Sequence, residues 1–274
     1  MATRVISALV AMVFGAGVLY FSDSIVLNIV LSALSALGLF ELLRANKCLQ
    51  YRFITVISFI YSIAMPFVHM CKDPLIIQTV TVAFVIIMFA GYFFVHKKMN
   101  VEKLFYTILI PVFLSYSLNS LYEMHEMSDA GHGVVFILLA LCGAWIADTS
   151  AYFTGTFFGK HKLCPDISPK KTIEGFAGGL IFTGLFFIAF NVVYVKIFAK
   201  TASVNFIPSF FLGMICAAIG TIGDLSASLI KRQCNIKDFG KIMPGHGGFM
   251  DRFDSVLFVA PFMKMYLSFF DIFA

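Results

Sequence analysis

"VISALVAMVFGAGVLYF", residues 5–21, carries no charge and only one serine and one tyrosine among its polar groups. Wound as an α-helix, it is about the length that crosses a hydrocarbon core of roughly 30 Å. Working outward, comparable runs recur near 25–43, 53–70, 75–95, 104–122, 133–158, 175–198, 206–230 and 254–272. Backbone exposed to lipid has no water to bond, so runs of this kind must close their hydrogen bonds internally as helices. The expected fold is therefore an all-α integral membrane protein, a polytopic helical bundle of about nine transmembrane helices. The bulk numbers agree: 60% of the 274 residues are hydrophobic and 13% charged, and the mean hydropathy is +0.91. A soluble domain is about half apolar and a quarter charged. The first run lacks an A-x-A-like cleavage site and further spans follow at once, so it reads as a retained helix rather than a signal peptide.

The loops divide the chain. Residues 1–122 hold about five spans and read as anchor and lipid groove. Residues 133–274 hold about four spans and the two longest polar loops, 159–174 and 231–253. No second soluble domain fits in the loops. The six cysteines are scattered, with no C-x-x-C, which argues against a zinc knuckle or a redox pair.

Lys and Arg collect in cytoplasmic loops. With the N-terminus inside, that side holds Arg4, Arg44, Lys47, Arg52, Lys97, Lys98, Lys103, Lys160, Lys162, Lys170, Lys171, Lys231, Arg232, Lys237, Lys241 and Arg252. The other side holds only Lys72, Lys196 and Lys200. Both long polar loops thus face the cytoplasm, and their basic character suits anionic head groups or a nucleoside triphosphate. The opposite loop, "YEMHEMSDAGH" (122–132), misses the H-E-x-x-H zinc pattern because residue 129 is Asp.

Two aspartates fall inside predicted helices, Asp148 and Asp224. A carboxylate at mid-bilayer costs about 2.5–3.5 kcal/mol on insertion scales, so such groups face a polar cavity, bond a neighbouring helix, or lie nearer the interface than the boundary suggests. Asp224, Ser228 and Lys231 share one helix face, acid, hydroxyl and base running toward the cytoplasm. Asp251 and Asp254, three apart, would share a face at the start of the last helix. Carboxylates converging there would repel unless a cation lay between them, and an oxygen-rich site of this kind suits Mg²⁺. Lys231, Arg232, Lys237, Lys241, His246 and Arg252 are then placed to hold phosphate oxygens. Carboxylates for metal and bases for phosphate point to phosphoryl or nucleotidyl transfer.

The other polar loop repeats the theme with Ser168, Lys170, Lys171, Thr172 and Glu174. Its lysines also fit a simple positive-inside anchor, and Thr172 to Glu174 fits an ordinary helix start. "GTFFGKH" (155–161) is one residue short of a P-loop and lacks the hydroxyl after Lys.

"SLIKRQCNIKDFGKIMPGHGGFMDRFDS" (228–255) closely resembles the C-terminal signature of the phosphatidate cytidylyltransferases, the membrane CDP-diacylglycerol synthases. Ser228, Lys231, Arg232, Lys237, Asp238, Pro244, His246, Gly247, Gly248, Asp251, Arg252 and Asp254 all fall on the pattern. "ADTSAYFTGTFFGKHKLCPDISPKKTIEG" (147–175) is similar to the family's second motif, departing at Ser150, where many members carry Gly. The resemblance implies transfer of CMP from CTP to phosphatidate, with release of pyrophosphate, in phospholipid biosynthesis. It implies Mg²⁺ on Asp224 and Asp251, optionally joined by a monovalent cation such as K⁺, and a homodimer in the bacterial cytoplasmic membrane with no nucleic-acid partner. On this expectation Lys231, Arg232 and Arg252 hold the triphosphate and Asp254 orients the site. Asp148, Ser168, Lys170, Lys171, Ser228, Lys237 and Lys241 bind substrate, and His246 donates a hydrogen bond in its loop.

Two rival readings are a CTP-dependent kinase or cytidylyltransferase acting on another membrane lipid, and an ion-coupled transporter with Asp148 and Asp224 as relays. A relay needs neither the Gly/Pro-rich loop nor the phosphate-suited bases. The D-G-x-x-A-R run of CDP-alcohol phosphotransferases is absent.

Overall fold

The computed structural model describes residues 2–22, 25–127, 131–242 and 247–274, with residues 2–9 and 11 as backbone only. It is helical apart from one short hairpin. In order come α1 (Ala2–Tyr20), α2 (Val26–Ala45), α3 (Arg52–His69), α4 (Pro74–Val95), α5 (Val101–Glu126) and α6 (Gly133–Phe158). The hairpin β1 (Lys162–Cys164) and β2 (Ser168–Thr172) follows. Then come α7 (Ile173–Ile197), α8 (Phe206–Gln233), the single turn α9 (Met250–Phe253) and α10 (Val256–Leu267). Among the described residues, the seven helices α2 to α8 are long and apolar enough to cross a membrane. This is a multi-pass membrane protein. The expected count of nine is not confirmed: α10 has 12 residues, about 18 Å of helix, too short to cross alone.

Packing divides the chain into two units, Met1–Tyr122 with Gln233–Arg252, and Glu123–Arg232 with Phe253–Ala274. The second polar loop therefore belongs with the N-terminal helices.

In the first unit, Ile54, Tyr61, Met65, Phe84, Met88, Met99 and Leu104 form a buried core, with the Tyr61 and Phe84 rings stacked at 4.2 Å. Lipid offers helices little hydrophobic reason to associate, so polar links and close packing do that work. Asn28 Nδ2 of α2 donates to the Pro66 carbonyl at 2.7 Å and Ser32 Oγ to that of Ile63 at 2.8 Å. Ser58 Oγ of α3 reaches the Thr107 carbonyl of α5 at 3.1 Å.

In the second unit, small residues let backbones approach. A Cβ on Gly175 of α7 would lie 2.6 Å from the Ala151 carbonyl of α6, and one on Gly178 would strike the Thr154 side chain. A Cβ on Gly213 of α8 would lie 2.7 Å from the Thr183 carbonyl of α7, and one on Gly223 2.6 Å from the Asp254 carbonyl. Large apolar side chains such as Phe94, 90% exposed, and Phe157 face outward, as they must where lipid is the solvent.

Candidate active site

The first polar loop is an ordered hairpin. β1 and β2 pair antiparallel, with Lys162 opposite Thr172 and Cys164 opposite Ser168. Its base is stitched by Glu174, in the first turn of α7, which accepts from the backbone N–H groups of Lys160 at 3.1 Å and His161 at 3.2 Å. His161 Nδ1 lies 2.6 Å from the same carboxylate. Thr172 caps α7, its Oγ1 accepting from Gly175 N at 3.1 Å, which matches the helix start read from the sequence. Alternation along β2 turns Lys170 to solvent and Lys171 the other way.

Lys171 Nζ meets Asp224 Oδ2 at 2.6 Å, with both side chains about a quarter exposed. That ion pair ties the hairpin to α8, where Asp224, Ser228 and Lys231 fall in the expected stripe on one unbroken helix. Asp254 is buried, and its Oδ1 accepts from Ser255 N at 2.7 Å. Burial, and secondarily the Asp224 carboxylate, push the Asp254 carboxyl up to about 7; Asp148 adds to the rise, while the Ser255 amide and Lys231 oppose it. Asp148, Asp224, Asp254, Lys171 and Lys231 thus form one electrostatic cluster within the second unit.

Those carboxylates suit a hard cation. Mg²⁺ typically takes one or two carboxylates and fills its shell with water and phosphate oxygens. Among the described residues, no three His, Cys, Asp or Glu side chains form a ready-made metal cage. One or two carboxylates of this cluster would leave the rest of such an ion's shell to water and phosphate oxygens.

In the first unit, Asp251 folds its carboxylate back on its own loop. Its Oδ2 accepts from Phe239 N at 2.9 Å and Gly248 N at 3.0 Å. Gly247 has φ of 89°, a conformation that glycine adopts without the penalty of a side chain. Lys237, Lys241 and Arg252 are exposed on this loop, and Arg232 is exposed at the end of α8.

Asp251 and Asp254 were expected on one face of a single helix. Instead Asp251 lies in α9, its carboxylate bonded to its own loop, and Asp254 lies in the break before α10. Asp148 lies in α6 as expected but is exposed. Ser168 and Ser228 are half-buried in β2 and α8. His246 lies outside the described residues. Sequence reasoning missed Glu41 and Arg44 of α2, which reach the second loop: Glu41 accepts from Phe249 N and Met250 N, and Arg44 Nη2 donates to the Phe239 carbonyl. The signal was present, since Glu41 is the one acidic residue in the run 25–43, and an acid in an apolar helix needs a partner.

A family model described as the cytidylyltransferase family matches residues 2–270. Phosphatidate cytidylyltransferase of Bacillus subtilis (strain 168) is 29% identical over 247 residues, 89% of each chain. That of Aquifex aeolicus (strain VF5) is 36% identical over 189 residues, 69% of this chain and 64% of its own. That of Staphylococcus haemolyticus (strain JCSC1435) is 42% identical over 144 residues, 53% of each.

Proposed function

Starting from the fact that the chain belongs to the cytidylyltransferase family, we propose that it transfers CMP from CTP to phosphatidate, giving CDP-diacylglycerol and pyrophosphate. A phosphate oxygen of the lipid bonds to the α-phosphorus of CTP as the α–β bridging bond breaks and pyrophosphate leaves. The observation that carries this reading is the Lys171–Asp224 pair beside Asp254. It pairs a lysine suited to a phosphate with a carboxylate suited to a cation at 2.6 Å, and a second carboxylate, Asp254, feels the charge of the first.

Asp224 and Asp251 are the proposed Mg²⁺ ligands, optionally joined by a monovalent cation such as K⁺. Bound there, Mg²⁺ would neutralise phosphate oxygens as charge builds on the leaving group. Asp251 and Asp254 are three residues apart in the chain, so their Cα atoms are at most about 10–11 Å apart whatever the fold.

Lys171 leaves Asp224 for a substrate phosphate oxygen when substrate arrives, exchanging one charge-assisted contact for another. Lys231, Arg232 and Arg252 hold the triphosphate and the departing pyrophosphate. Ser168, Lys170, Ser228, Lys237 and Lys241 are assigned to binding substrate. Asp148 orients one substrate, and Asp254 acts on the site through its neighbours rather than on substrate. No general base is needed, because a phosphate monoester is already ionised at pH 7, so His246 is assigned a hydrogen bond within its loop. The lipid enters sideways between α6, α8 and α10. The cytoplasmic membrane, an N-terminus and active site on the cytoplasmic face, and a homodimer complete the reading.

The test uses detergent-purified protein with phosphatidate and each nucleoside triphosphate in turn, detecting pyrophosphate with and without Mg²⁺. Release with CTP, dependent on both lipid and metal, is expected. Release of CDP instead, or no reaction with CTP and phosphatidate, would overturn the assignment.

A further inference from the structure

Glu41 sits in α2, among Leu39, Leu42 and Leu43, and is itself fully buried. A lone carboxylate in such a helix is costly unless it is bonded. It is bonded twice, to successive backbone amides: Oε1 accepts from Phe249 N at 3.1 Å and Oε2 from Met250 N at 2.9 Å. Three residues on, and therefore on the same face, Arg44 Nη2 donates to the Phe239 carbonyl at 2.5 Å. Phe239 is held at its other end too, since its N–H bonds Asp251.

The surrounding glycines are shaped to this carboxylate. A Cβ on Gly240 would collide with Glu41 Oε1, and one on Gly248 would lie 2.6 Å from Oε2. Neither has positive φ, so what excludes a side chain there is the space taken by Glu41 and, at Gly248, also by the Gly240 amide nitrogen at 2.6 Å. Gly38, one turn earlier in α2, admits the Phe249 ring at 3.0 Å from where its Cβ would stand. One helix of the N-terminal unit therefore grips residues 239–240 and 248–250, on either side of the segment that Asp251 closes.

We propose that Glu41, with Arg44, is a positioning residue for the reaction: the α2 carboxylate sets the loop backbone from which Asp251 and Arg252 act. It rests on the function proposed above only in taking those two residues as part of the site. Residues 1–122 thereby gain a role in the chemistry beyond anchoring.

Glu41→Gln tests this in the full detergent-purified chain. The amide keeps the size but turns an N–H₂ toward one of two N–H donors, leaving that donor unpaired. Two readouts are taken: trypsin cleavage after Lys241, in the gripped loop, against cleavage after exposed Lys200 in the other unit, and steady-state kinetics of CDP-lipid formation. The expected result is cleavage at Lys241 faster by about tenfold or more with Lys200 unchanged, and kcat lower by about tenfold or more with the phosphatidate KM held within about threefold. If Glu41→Gln does not fold, Gly248→Ala, which pushes a methyl against the carboxylate and the Gly240 amide together, should give the same pattern. Adding Glu41→Ala to Gly248→Ala should then cost less than the sum of the two single changes. Equal acceleration at Lys241 and Lys200, or cleavage and kcat both within about twofold of wild type, would overturn the proposal. A wild-type chain inactive toward CTP and phosphatidate would instead defeat the proposed function, leaving the proteolysis comparison to judge the grip.

Discussion

Asp254 carries the largest electrostatic consequence of any single residue in the site. Its carboxyl is raised from 3.8 to about 7, first by burial and then by Asp224. Between those values the folded chain holds a proton that the unfolded chain has released, so this residue's contribution to stability is full below about 4 and is lost as pH rises through about 7. In EDTA, the thermal midpoint of the purified protein should fall by several degrees from pH 5 to pH 8. Asp254→Asn should flatten that slope; an unchanged slope would mean that another group sets it. The acid itself was legible in the sequence, as part of D-R-x-D. Its burial was not, because burial depends on Gly223, thirty-one positions earlier, coming within contact of the Asp254 carbonyl.

Helices were the most legible elements. α6 falls at 133–158 as read, and α3, α4 and α8 lie within a few residues of their expected limits, because hydropathy is a local property and caps such as Thr172 are local too. The hairpin was not legible: β1 and β2 have three and five residues, too few for alternation to stand out, and their lysines read equally well as a cytoplasmic anchor. How the helices pack was likewise hidden. Gly178 looks like any glycine in an apolar run, yet the Thr154 side chain of α6 occupies the space a Cβ would need. Gly178→Leu should therefore separate α6 from α7, lowering the thermal midpoint and the yield of monodisperse protein. The next glycine along has more room, since a Cβ on Gly179 would meet Ala151 Cβ at 3.2 Å and the Ala147 carbonyl at 3.3 Å. Gly179→Ala should be much the milder change, by about 1 kcal/mol or less against about 1–3 kcal/mol or more for Gly178→Leu.

At the scale of the whole molecule, the bias of Lys and Arg predicts which loops face which compartment. Cys71 is exposed between α3 and α4, on the side with few lysines. In a variant keeping only that cysteine, a membrane-impermeant maleimide should label it from outside intact cells. Labelling only after permeabilisation would reverse the orientation. The sequence by itself determined a multi-pass helical protein and its two long polar loops, since both follow from the composition of contiguous stretches. Only the tertiary structure decided that residues 233–252 belong with the N-terminal helices and that Glu41 grips amides 208 and 209 positions away. Such pairings leave no period in the chain; they arise where a buried charge must find donors, and the nearest ones are set by packing.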